Sequence, residues 1–165
     1  MTTPDPEEPG YRALRDYVRS GKLLHLSTVD EAGPVMCSVW YAASQDIRKI
    51  VYTSRVSRVH SENVRARGAV AASIVSIELI GLGQTVTGAY LRGTATEATD
   101  DGSIHDAYSL YASRWPQVGN SFSERDLTTA ATMMRMYVIE VTEYVWFDER
   151  VPGDPRHVVM ASALP

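Results

Sequence analysis

Hydrophobic and polar residues follow two rhythms along this chain, one of helical and one of strand period. After Pro9, which a helix accepts in its first turn, Tyr11, Leu14 and Val18 recur at helical spacing up to Gly21, a natural terminator. The spacing predicts a short amphipathic helix over one end of a sheet. Residues 23–29 (LLHLSTV) are apolar and partly β-branched, and Asp30-Glu31-Ala32-Gly33 supplies hairpin-turn chemistry before a return strand at 34–43 (PVMCSVWYAA). A turn at 44–49 leads to a third strand at 50–53 (IVYT). Three strands joined by short turns make an antiparallel meander.

The third strand hands over to a helix within YTSRVSRVHSEN, residues 52–63. Ser57 is the expected N-cap, with the helix carried to Gly68. A strand that turns into a helix N-terminus leaves backbone N–H groups pointing outward, which attract anions. This turn also carries two hydroxyls, Ser54 and Ser57, and two guanidinium groups, Arg55 and Arg58. Arginine makes charge-assisted, often bidentate bonds to phosphate, and serine adds a neutral donor. One reading is a pocket for a single terminal phosphate; the other is a solvated turn with arginines on a helix face.

A fourth apolar strand, AVAASIVSIELI at 69–80, is rich in small residues, which on a strand mark close approach of a backbone or a ligand. A fifth, TVTGAYLRGTATEAT at 85–99, contains Gly88 and Gly93, expected at a bulge or barrel bend. Ser103 with Asp106 resembles a capping box for a helix bearing Ile104, Tyr108, Tyr111 and Trp115 along one face, ended by Pro116. Ser123 opens another short helix, and RMYVIEVTEYVWF is the last strand. Six strands, three or four short helices and antiparallel turns predict a mainly β fold: a six-stranded antiparallel barrel with capping helices. The expected organisation is a loose tail at 1–8, one domain at 9–147 and an arm at 148–165.

With 165 residues, 44% of them hydrophobic and 22% charged, the chain suits one soluble domain. Its net charge of −4 counts against general nucleic-acid binding. One cysteine, Cys37, excludes an internal disulfide and a cysteine-cluster metal site. The N-terminus is acidic and proline-rich rather than signal-like, and no apolar run approaches the ~20 residues that span a bilayer. A cytoplasmic location is expected. His25, His60, His105 and His157 are scattered, without metal-ligand spacing; His60 alone falls in the first turn of the candidate phosphate helix. No Ser-His-Asp or Cys-His pattern suggests covalent catalysis.

The order of motifs resembles the pyridoxamine 5'-phosphate oxidase-like superfamily, the FMN-binding split β-barrels. LSTVDEAGPV from Leu26, SVWYAA at 38–43, Thr53 followed by SRVHSENVRARGAVAAS, YLRGTATEA and YSLYASRWP each match a family segment in order, over roughly residues 10–147. The pattern looks most like the small members of no assigned activity. The resemblance implies an FMN-dependent oxidoreductase acting on a small molecule, as a homodimer with a cofactor in each of two interface clefts. Carried over by position, Ser57 and Arg58 would hold the cofactor phosphate. Thr53 and Ser54 would stand beside the ring edge or ribityl chain, with Arg55 in the same turn. The second strand at 37–41, with Ser38 and Trp40, would lie against the isoalloxazine ring. Trp40 and Trp146 are the tryptophans the resemblance brings near a flat ring, with packing as the competing role. Three positions depart from the family pattern. Val59 replaces a lysine, no Arg or Lys lies between Val35 and Ala43, and Tyr90 stands where a glutamine is expected. Together they argue against oxidation of pyridoxamine phosphate itself. Branches of the superfamily that use a deazaflavin coenzyme or bind haem remain alternatives, as does a non-catalytic flavin- or haem-binding dimer.

Overall fold

The computed structural model describes residues 9–78, 80–151 and 156–159. Helix α1 (Pro9–Ser20) buries Tyr11, Leu14 and Val18, and Tyr11 donates its hydroxyl to the Asp46 carbonyl at 2.8 Å. Strands β1 (Leu23–Asp30) and β2 (Gly33–Ala43) form the expected hairpin; Asp30 Oδ1 accepts from the Ala32 and Gly33 amides. Strand β3 (Lys49–Arg55), helix α2 (Val59–Arg67), and strands β4 (Ala69–Ile74) and β5 (Thr87–Glu97) follow. Helix α3 (Asp101–Arg114), a 3-10 turn (Pro116–Asn120), helix α4 (Glu124–Thr128) and strand β6 (Met134–Asp148) complete the domain.

Every strand pairing is antiparallel, in the order β3-β2-β1-β4-β5-β6, and β3 pairs with β6 to close a six-stranded barrel. Its interior is filled by large side chains, among them Leu26, Tyr41, Ile50, Tyr52, Tyr137 and Tyr144. Between Arg92 and Gly93 the β5–β6 register shifts, and a Cβ at Gly93 would collide with the Glu140 carbonyl. Glycine is therefore needed for the two backbones to approach at the bulge. A second apolar cluster lies outside the barrel, where α3, the 3-10 turn and α4 pack Ile104, Tyr111, Val118, Phe122 and Leu127 against Ala42, Val51 and Met136.

Four local expectations change. Strand β3 runs on to Arg55, because Ser54 pairs with Arg135 and Arg55 with Met134, so ladder pairing overrides turn propensity. The turn is thereby shortened to residues 56–58, and the N-cap of α2 is Arg58, not Ser57, with no side-chain cap. Strand β4 stops at Ile74 rather than residue 80, where its pairing with β5 ends at Ile74↔Ala89. Gln84 then staples the following loop by accepting from the Ile80 amide at 2.7 Å. The cap of α3 is Asp100, whose Oδ1 accepts from the Ser103 amide at 2.9 Å, not Ser103 itself; the intact capping box is Ser123 with Asp126 at α4. Within the segment read as an arm, residues 156–159 form a seventh strand, β7 (Arg156–Val159), on the half of β6 that β3 leaves free. The expected tail at 1–8 lies outside the described residues.

Candidate functional site

The end of β3, the start of α2 and the outer side of β2 enclose one side of a cleft of about 1640 Å³. All seven residues singled out from sequence line it: Ser38 and Trp40 from β2, Thr53, Ser54 and Arg55 from β3, and Ser57 and Arg58 from the turn. Their roles diverge once their bonds are counted. Thr53 donates its hydroxyl to the Arg135 carbonyl at 3.1 Å, Ser38 Oγ bonds His25 Nδ1 at 2.9 Å, and Ser54 Oγ bonds His60 Nε2 at 2.7 Å. By contrast, the Ser57 hydroxyl and the Arg55 and Arg58 guanidinium groups have no hydrogen-bond or ion-pair partner among the described residues, and all three residues are exposed. Among the described residues no carboxylate lines the cleft. The first turn of α2 adds uncapped amides beside them.

His60 sits half-buried in this turn. Burial, and secondarily the Arg58 charge, hold its imidazole below the ordinary range, so it is neutral at pH 7. Burial pushes the Cys37 thiol on β2 up to about 11, which makes it a poor nucleophile at neutral pH. Val59, where the resemblance expects lysine, is half-exposed and leaves the site one cation poorer.

Of the opposite wall, the sequence singles out only Met133 and Met134, which with Met136 read as a flexible substrate wall or, in the favoured reading, as core filling. The wall consists of Tyr111 and Trp115 from α3 and its end, Gln117, Val118, Ser121 and Phe122 beyond it, and Thr132, Met133 and Met134 before β6. Trp115 is fixed by donating Nε1–H to the Tyr41 carbonyl at 2.8 Å and by the Arg114 guanidinium 4.9 Å from its ring. Trp40 meets it edge-on at 4.9 Å. The signal that could have found this wall is the helical spacing of Tyr111 and Trp115, which brings both to the end of α3 that abuts β2. Trp146 does not reach the cleft: it is buried in the barrel, edge-on to Tyr17 at 5.0 Å. Met136 likewise belongs to the packed core. His105 bonds Glu124 at the surface, and the His157 side chain lies outside the described residues. Among the described residues no group of three or more His, Cys, Asp or Glu could hold a metal.

The small residues Ala71, Ala72 and Ser73 of β4 line a second, smaller groove of about 350 Å³ with Met36 and Tyr90. Tyr90, at the position where glutamine was expected, stacks on Phe147 at 5.4 Å. No helix is long and apolar enough to cross a membrane among the described residues.

No family model matches the chain, and no curated protein matches it. Solved structures do. A heme binding protein from Mycobacterium smegmatis superposes with a TM-score of 0.70 at 15% identity, covering 96% of this chain and 60% of that one. A protein related to general stress protein 26, of the pyridoxinephosphate oxidase family, from Clostridium acetobutylicum superposes at 0.66 and 12%, covering 90% and 93%. The chain has the pyridoxamine 5'-phosphate oxidase-like split-barrel fold. A FAD-binding protein from Mesorhizobium loti aligns at 0.56 and 15%, covering 78% of this chain and 87% of its own. At these identities the likeness is one of fold. It covers most of the chain, and two of the neighbours' names mention a bound group, haem in one and FAD in the other.

Proposed function

We propose that the protein is an FMN-dependent oxidoreductase acting on a small molecule, working in the cytoplasm as a homodimer. The observation that carries this reading is the set of donors Arg55, Ser57 and Arg58, which line the cleft and have no partner, and no carboxylate beside them in the lining, among the described residues. Two guanidinium groups, a hydroxyl and free helix amides match the charge and acceptor count of one phosphomonoester. The first βα turn has no Gly-x-Gly-x-x-Gly run for a pyrophosphate, which favours FMN over FAD. Trp40 and Trp115, which also line the cleft, supply aromatic rings for contact with a flat ligand. When bound, a flavin supplies the hydride and electron transfer. The chain's part is then to anchor the phosphate, orient the ring against β2 and exclude water with the α3 wall.

The dimer rests on exposed apolar residues. Met36 is 69% exposed and Trp40 51%, on a β2 face that adjoins both grooves, with Tyr90 half-exposed nearby. A second copy over this face would cover them and complete the cleft. Sedimentation showing a stable monomer at micromolar concentration would reject that arrangement.

A second reading, haem binding, is favoured by one specific residue: His60 lines the cleft with a neutral imidazole, the form that ligates iron, whose Nε2 would exchange its bond to Ser54 Oγ for the metal. The absorbance spectrum of purified protein, with mass spectrometry of the denatured supernatant, separates the cases. FMN at one per chain supports the proposal. FAD, a deazaflavin coenzyme or a Soret band each replaces it with the corresponding binder. Reduction of the bound group by a nicotinamide or reduced deazaflavin distinguishes an enzyme from a storage module.

A further inference from the structure

We infer that Glu97, which does not line the cleft, is the positioning residue that sets the shape of the anion-binding turn. Glu97 is the last residue of β5, and its side chain is 12% exposed. Its Oε2 accepts from Arg65 of α2 at 2.9 Å and from the Tyr137 hydroxyl of β6 at 3.1 Å, while Oε1 lies 3.6 Å from Arg135 Nε. One carboxylate thus holds two arginines from two different elements.

Each arginine reaches past Glu97 to backbone at the cleft. Arg65 donates its other terminal nitrogen to the carbonyl of Val56, the first residue of the turn, at 2.8 Å. Arg135 donates to the Thr132 and Met134 carbonyls, both at 2.7 Å, on either side of Met133. Val56 and Met133 are themselves joined, Val56 N–H to Met133 carbonyl, at 2.9 Å. The two arms therefore grip both sides of the bond that joins the turn at Val56 to Met133 of the opposite wall. Arg55, Ser57 and Arg58 flank that bond. With the charge on Glu97 removed, the arginines lose their common anchor and repel one another, and the spacing of Arg55 and Arg58 is no longer fixed. Preorganised donors bind better than donors that must be ordered by the ligand.

This inference rests on the flavin-phosphate reading for its affinity arm, and on hydrogen exchange for a readout independent of any ligand. Glu97→Gln keeps the shape of the side chain and removes the charge. In the ligand-free protein, exchange of the Val56 and Arg58 amides is expected to accelerate about tenfold or more, with amides of the β1–β2 hairpin unchanged. In titrations, FMN affinity is expected to fall roughly tenfold, the lower end of what outer-layer partners contribute at measured metal sites, while riboflavin stays within about twofold. Unchanged exchange at Val56, or equal losses for FMN and riboflavin, overturns the inference. If Glu97→Gln fails to fold, Arg65→Lys serves instead. Its single ammonium lacks the fork that spans Glu97 and Val56 together, and the same two readouts decide. If wild-type protein binds no FMN, the cofactor reading falls, and the Val56 exchange rate still decides the role of Glu97.

Discussion

Arg58→Ala is the perturbation that bears most directly on the site. The side chain is exposed at the cleft, makes no hydrogen bond or ion pair among the described residues, and belongs to a helix cap that uses no side chain. Its removal should therefore leave stability within about 0.5 kcal/mol of wild type, the ordinary range for such surface changes. A charge-assisted hydrogen bond to phosphate contributes ~1.5–3 kcal/mol, and every ~1.4 kcal/mol is tenfold in affinity. FMN binding should accordingly weaken by roughly one to two decades. Riboflavin, identical but for the phosphate, is the control, and its affinity should be unchanged. Arg55→Ala should cost less, since Arg55 leaves the ladder one residue before the turn and faces the cleft from the strand side. Quenching of flavin fluorescence over a titration reads both ligands on each variant. Equal weakening of FMN and riboflavin by Arg58→Ala would refute the assignment, because a residue that reads phosphate cannot lose affinity for a ligand without one.

Three further outcomes are expected. Burial depresses the His60 pKa in the folded state, so the unfolded chain binds the proton more tightly; stability from this residue is present above about pH 6.5 and is lost as pH falls from there through the folded value. Thermal melts between pH 8 and 5 should therefore fall less steeply for His60→Gln than for wild type, and parallel curves would contradict this. Cys37, its thiol pushed up to about 11, should react slowly with iodoacetamide at pH 7.5 and faster as pH rises toward that value, a rate series that a low-pKa thiol would not reproduce. Gly93→Ala forces a methyl group against the Glu140 carbonyl at the β5 bulge and should cost ~1–3 kcal/mol in denaturant unfolding, whereas alanine at Gly119, which has open space around it, should cost far less.

The fold was legible because the barrel's register is written in side-chain alternation. Ile139 and Val141 point inward while Glu140 faces out, and the bulge declared itself through Gly93. What misled was local chemistry that tertiary pairing overrode. Ser57 has the composition of an N-cap, but the β3–β6 ladder carries two more residues into the strand and displaces the cap to Arg58. The apolar run continues past Ile74 in sequence, yet the pairing of β4 with β5 ends at Ile74↔Ala89. Seven residues named from sequence share one cleft because all of them lie on two short segments, 38–40 and 53–58, with Trp40 and Ser38 two apart on one strand face.

The aromatic wall was hidden for the complementary reason. Trp115 reaches the cleft through a hydrogen bond to Tyr41 across 74 positions of chain, and Glu97 acts on the turn through arginines 32 and 38 residues away on either side in sequence. The helical spacing of Tyr111 and Trp115 is visible in the sequence, but neither of these long-range partnerships is. The turn, by contrast, concentrates its donors in five consecutive residues and needs only the strand-to-helix handover to aim them. A site of this kind divides into a part that recognises charge and a part that fixes where the charge sits. The first is compact and appears as a motif. The second is assembled by the barrel, and here it converges on a single carboxylate, so loss of Glu97 should impair the site although every residue that touches the ligand is still present in the chain.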